Sequence, residues 1–187
     1  MKKSLGPKIL IYPSPVWCIG SYDEKGIPNV MTASWAGIVC SDPPSVAVSL
    51  RKATHTYGNL MRSKAFTVSV PSRKYAREAD YFGLVSGKNI NKFEAMGLTP
   101  VKADRVNAPY VGEFPMVVEC QLIHTFELGF HTQFVGEIVD VKVEDAFLSK
   151  NGLPDMGKLD PFLYCAGEQS YYSTGERFGE AFKIGKK

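Results

Sequence analysis

The stretch MVVECQLIHTFELGFHTQFVGEIVDVKV, residues 116–143, alternates with a period of two. Met116, Val118, Cys120, Leu122, His124, Phe126 and Leu128 form one mostly apolar face, while Glu119, Gln121, Thr125 and Glu127 point the other way. Period-two alternation is the signature of a half-buried strand. Gly129 and Phe130 then interrupt it, and HTQFVGEIVDVKV (131–143) resumes it, so the pair reads as a long hairpin. His124 shares its line with Cys120, Leu122 and Phe126 and reads as a core histidine. His131 opens the second strand at the mouth of the hairpin, where an imidazole can meet a ligand and handle a proton.

The same grammar continues outward. VWCIGSY (16–22), the turn DEKG (23–26) and IPNVMTASW (27–35) predict a second hairpin. SDPPS (41–45) breaks the chain before the short strand VAVSL (46–50), and AFTVSV (65–70) is another strand. THTYGNLMRSK (54–64) predicts a helix capped by Thr54. Between 72 and 98 the pattern is helical, with SRKYAREADYFG and NKFEAMG each expected to stop at its glycine. From about 150 the tail is expected to be rich in loops. Short strands with a helical insertion predict a mainly β chain, a β-barrel with helical insertions rather than a βαβ sandwich. One domain over 1–187 is expected, since no linker divides the chain.

Composition narrows the function classes. The 187 residues are 44% hydrophobic and 22% charged, with a net charge of +3 and no block of basic residues, so nucleic acid is not expected as a partner. No apolar run approaches a membrane span and no signal peptide is evident. The four cysteines, at 18, 40, 120 and 165, form no C-x-x-C pair, and His55, His124 and His131 make no ligand set, so no metal is expected. Cys18, Cys40 and Cys120 lie in apolar stretches, which favours buried, reduced thiols and a cytoplasmic protein. The methionines and phenylalanines are expected to fill the core. G-x-G-x-x-G, the P-loop, H-E-x-x-H and G-x-S-x-G are all absent from the sequence.

Two stretches carry the chemistry. In SLRKATHTYGN (49–59) a strand end delivers Arg51 and Lys52 to a helix start bearing Thr54 and Thr56, with no carboxylate in the first turn. Unpaired N–H groups, hydroxyls and cations describe a phosphate seat, although a plain Thr N-cap beside two solvated cations fits the same residues. In NVMTASWAG (29–37) three small residues, Thr32, Ala33 and Ser34, precede Trp35. A strand serving burial alone would favour larger aliphatics, because each buried methylene is worth ~0.8 kcal/mol. Small side chains leave room for a flat ligand against the sheet; tight packing under the middle helices is the bland alternative.

PNVMTASWAG, SDPPSVAVSLRKATHTYGNL, KAFTVSV, SGKNINKF and HTQFVGEI, in this order and spacing, resemble the flavin reductase-like FMN-binding split-barrel proteins. YPSPVW and FLYCAGEQSYYSTGERFG are similar to the flavoredoxin branch. The resemblance implies a homodimeric six-stranded split barrel holding FMN near the subunit interface. It implies that Thr32, Ala33, Ser34 and Trp35 line the isoalloxazine, and that Ser49, Leu50 and Arg51 follow the ribityl chain. Thr54, Thr56 and Lys92 would grip the phosphate. His131 would stand where a nicotinamide stacks, with Phe130 before it in place of the acidic residue many relatives carry. The expected function is an FMN-binding redox protein that passes electrons to a partner such as a ferredoxin. The alternatives are an NAD(P)H:flavin reductase supplying reduced flavin to an oxygenase, and a non-catalytic flavin-binding module.

Overall fold

The structure, a computed structural model, describes residues 1–186. The first five strands are β1 (Ser14–Pro15), β2 (Trp17–Tyr22), β3 (Pro28–Ala33), β4 (Ala36–Ser41) and β5 (Pro44–Arg51). Helix α1 (His55–Ser63) leads to β6 (Ala65–Val70), and α2 (Ala76–Leu84) and α3 (Lys92–Met96) follow. Then come β7 (Pro100–Lys102), β8 (Pro109–Val111), β9 (Met116–Leu128) and β10 (His131–Val143). The tail holds α4 (Met156–Leu159), β11 (Phe162–Cys165) and β12 (Ser170–Ser173).

Seven strands, one more than the six expected, form one antiparallel sheet in the order β3-β2-β6-β9-β10-β5-β4, with β4 (Ala36–Ser41) as an edge strand. Its edge strands, β3 and β4, are consecutive in the chain and separated only by Ser34 and Trp35. Two residues cannot span a flat seven-stranded sheet, whose strands lie ~4.8 Å apart, so the sheet curls until its edges meet. The Ser49 amide donates to the Trp35 carbonyl at 2.8 Å, pinning that seam. The seam is therefore the run of small residues singled out in the sequence.

Alternation along the strands sorts two cores. Ile19, Val48, Leu50, Phe66, Val68 and Phe134 fill the barrel. Outside it Cys18, Val30, Phe82, Phe93, Phe114 and Phe162 pack the helices and the tail against β2 and β3. Gly136 faces Phe66, where an added Cβ would lie 2.6 Å from the ring, so only glycine lets β10 pass. The β10 strand is irregular at this point, with register shifts against β9 at Val135/Gly136 and Ile138/Asp140, which sharpen the curl.

Several expectations are corrected. Strand β6 pairs with β9 only as far as Gln121. Beyond it β9 loses that neighbour, and His124, Phe126 and Leu128 are exposed rather than core. Glu119, expected on the solvent face, is fully buried because the loop after β7 covers it. Its carboxylate accepts from the Asp104 and Arg105 amides at 3.2 and 2.7 Å and from the Lys142 ammonium. Cys40 is exposed because β4 is an edge strand, whereas Cys18, Cys120 and Cys165 are buried and all four are free. Phe126, Phe130, Phe178, Phe182 and Met1, Met61 and Met156 stay outside the core. Gly83 does not stop α2, which runs to Leu84, while Gly97 caps α3 in the left-handed conformation. The tail is more ordered than expected, since β11 pairs with both β1 and β12. No helix among the described residues is long and apolar enough to cross a membrane.

Candidate functional site

The site begins at the N-terminus of α1. Thr54 caps it, its hydroxyl accepting from the Tyr57 amide at 3.2 Å and donating to the Arg51 carbonyl at 2.9 Å. No carboxylate occupies the first turn. A cavity of about 260 Å³ lies against this end, and Arg51, Thr54, His55, Thr56 and Lys92 line it. No carboxylate is among its described lining residues. Four of the residues assigned to phosphate or ribityl contacts thus meet in one place.

Lys92 is the unusual member. It is 3% exposed, and its ammonium donates to the Phe82 carbonyl at 2.7 Å. Burial pulls its pKa down to about 8, with the nearby Cys18 thiol acting in the opposite direction. An ammonium has three donors, so two remain for a ligand. Lys52, by contrast, turns outward and pairs with Glu127 at 2.8 Å, leaving the seat to Arg51 and Lys92. His55 is pushed down from its ordinary value, first by burial; Asp23 raises it, and Lys88, Lys92 and Arg62 lower it further.

Asn29 and Gly87 complete this cavity, and the sequence reading missed both. The Asn29 amide donates to Thr56 Oγ1 at 2.9 Å and to Ser21 Oγ at 3.3 Å, but its Oδ1 is buried with no partner. A Cβ on Gly87 would stand 2.0 Å from that oxygen, so a side chain there would press into the seat. The donor set fits a phosphate monoester, and the orphaned acceptor fits a hydroxyl donor such as those of a ribityl chain.

A second cavity, also about 260 Å³, is lined by Thr32, Ser34, Asp80, Tyr164 and Tyr171 among others. The two cavities share Gly83 and Leu84 as wall. Thr32 Oγ1 donates to the Ala79 carbonyl, tying β3 to α2. Trp35 stands beside Tyr164, ring centroids 6.5 Å apart. Ala33 and Leu50 turn into the barrel core, so only their backbones can face a ligand. Ser49 is half-buried opposite Gln133 in the β5–β10 pairing. His131 pairs with Arg51 across the same strands and meets Phe130 edge-on at 5.8 Å, but it lines neither cavity. The tail tyrosines were also missed; the aromatic cluster in FLYCAGEQSYY was the signal available for them.

The flavin reductase like domain model matches residues 9–173. The chain belongs to the flavin reductase-like family. Flavoredoxin of Desulfovibrio vulgaris (Miyazaki F) is 54% identical, with a TM-score of 0.96 and all of both chains covered. Flavoredoxin from Methanosarcina acetivorans is 31% identical with a TM-score of 0.92, covering 100% of this chain and 98% of its own. A high molecular weight rubredoxin of Moorella thermoacetica is 29% identical over 85% of this chain and 64% of its own length. The curled sheet is the split barrel of these flavin reductase folds. This member of the flavin reductase-like family is a flavin-binding redox protein.

Proposed function

We propose that the flavin is FMN and that the chain acts as an electron carrier of the flavoredoxin type. The carrying observation is the cavity at the N-terminus of α1, with Arg51 and Lys92 and no carboxylate among its described lining residues, which shares Gly83 and Leu84 as wall with a neighbouring cavity lined by Thr32 and Ser34. In this reading Arg51, Lys92 and the first-turn amides hold the phosphate, and Asn29 Oδ1 accepts from a ribityl hydroxyl. Thr32, Ser34 and the backbone of Ala33 and Trp35 set the plane of the ring. Bound FMN would supply reversible electron or hydride acceptance; the protein's part is to bind, orient and shield it. The whole chain would act as one flavin domain, and its reduced cysteines suit the cytoplasm.

The ring cavity carries no dinucleotide cradle, and His131 stands outside it. Slow, weakly saturating oxidation of NADH or NADPH is therefore expected, with faster exchange with a redox protein such as a ferredoxin. Stopped-flow reduction of the yellow protein by NADH, NADPH and reduced ferredoxin tests this. Fast, saturable reduction by NADH or NADPH would make the chain an NAD(P)H:flavin reductase. Inertness toward every reductant would leave a flavin-binding module.

A second copy is the proposed structural partner. Ile123, Phe126 and Leu128 of β9, Phe130, Val139 and Val141 are all exposed along one hairpin, and Arg51 lies over the Phe130 ring at 5.5 Å. Apolar surface of this kind marks an interface, and here it adjoins the phosphate seat. Sedimentation should give twice the chain mass; a monomer at micromolar concentration would refute the dimer.

A further inference from the structure

Of the described residues lining the two cavities, Asp80 is the one carboxylate. It projects from the middle of α2 into the cavity lined by Thr32 and Ser34, whose described lining holds no cation. A carboxylate does nothing for the affinity of an anionic cofactor, and attraction to Arg51 or Lys92 does not explain it. Asp80 has instead a specific partner from a distant part of the chain. The Tyr171 hydroxyl donates to Asp80 Oδ1 at 2.7 Å, joining β12 to α2 across 91 residues of sequence.

That tyrosine is held on several sides. Its ring meets Phe162 edge-on at 5.3 Å and Tyr164 at 5.8 Å, and Tyr164 in turn stands beside Trp35. Burial and the Asp80 carboxylate keep the phenol protonated, well above its ordinary value, so it remains a donor at any physiological pH. The tail thus places a permanent hydrogen-bond donor on the one negative charge of the ring cavity.

We propose that Asp80 sets the reduction potential of the bound flavin, and that Tyr171 is its positioning residue. The proposal rests on the FMN reading above. Reduction adds electrons to the ring, and a fixed negative charge lining the same cavity opposes that gain. Asp80 therefore binds oxidised flavin in preference to reduced and holds the potential down, as suits a donor to low-potential partners. The Tyr171 hydrogen bond draws part of the carboxylate's charge into the phenol, so Tyr171 acts through Asp80 and moderates its effect.

Spectroelectrochemical titration of the FMN-loaded protein tests both assignments. Asp80→Asn should tighten reduced FMN about tenfold relative to oxidised FMN, an upward shift of about 30 mV for a two-electron couple. Asp80→Glu, which keeps the charge, should stay near the wild-type potential. Tyr171→Phe should move the potential downward in the wild-type background and leave it unmoved in the Asp80→Asn background. An unchanged or lowered potential in Asp80→Asn overturns the role of Asp80. A Tyr171→Phe shift of equal size in both backgrounds overturns its action through Asp80. Failure of the wild-type protein to bind FMN would instead strike the parent reading, which separates the two.

Discussion

Replacing Lys92 with glutamine is expected to weaken FMN ten- to a hundredfold while leaving riboflavin nearly untouched. In the proposed reading Lys92 would give the phosphate a charge-assisted hydrogen bond, an interaction worth ~1.5–3 kcal/mol, and riboflavin has no phosphate to lose. Glutamine keeps a donor for the Phe82 carbonyl, so the local packing survives. The wild-type protein carries a sharper signature in its pH dependence. Burial holds the free Lys92 near pKa 8, and a bound phosphate dianion favours the charged form. Above about pH 8, binding must therefore take up a proton, and FMN affinity falls by as much as tenfold per pH unit. The apoprotein moves the other way. Between about pH 8 and the ordinary lysine range the unfolded chain binds more protons, so this group makes folding stability rise with pH. Isothermal titration of FMN and riboflavin from about pH 7 to 9.5 reads the affinity, and denaturant unfolding of the apoprotein over the same range reads the stability. Equal losses for the two flavins in Lys92→Gln, or a flat FMN profile in the wild type, would remove the phosphate from this cavity.

The legible part of the molecule is the part written in short-range pattern. Period-two alternation exposed the β9–β10 hairpin, and Thr54 marked its helix start to the residue. The run Thr32–Ser34 announced a place where bulk is excluded, and the structure puts it at the barrel seam and on a cavity floor. What stayed hidden depends on partners far away in sequence. Asn29 reads as a strand residue until Thr56 and Ser21 take its donors and leave its oxygen alone. Asp80 reads as a solvated helix position until Tyr171 arrives from the tail. Ala33 and Leu50 were named from motif register alone; strand alternation turns their side chains into the barrel, so a contact of either with a ligand is a backbone contact. His124 was misread because alternation reports which face a residue is on and not where the neighbouring strand ends. Glu119 is the plainest case, a charge on a face that only becomes interior when a loop folds over it.

That buried charge leads to the largest expected stability effect. Glu119 is fully buried, and Lys142 is the cation that compensates it while also holding Asp140 at 2.7 Å and Asp104 at 3.4 Å. Lys142→Met removes the cation and leaves the carboxylate in the interior with only the amides of Asp104 and Arg105. Breaking one side of a buried pair costs ~3–5 kcal/mol, more than most core truncations of a single methyl group. In a chain of this length that is a fall in melting temperature of roughly 10 °C. The loss should appear without flavin, because the cluster lies apart from both cavities. Adding Glu119→Gln to Lys142→Met should recover part of it, since no charge remains to be compensated and the amide oxygen still accepts from one of the two loop amides. Hydrogen exchange supplies a local check: the Asp104 and Arg105 amides should lose protection in the single variant and regain part of it in the double. A single variant within ~1 kcal/mol of wild type, in the range of an exposed ion pair, would show that water already reaches Glu119. Additive losses in the double variant would show that Lys142 stabilises the loop through Asp104 and Asp140 and not through the buried carboxylate.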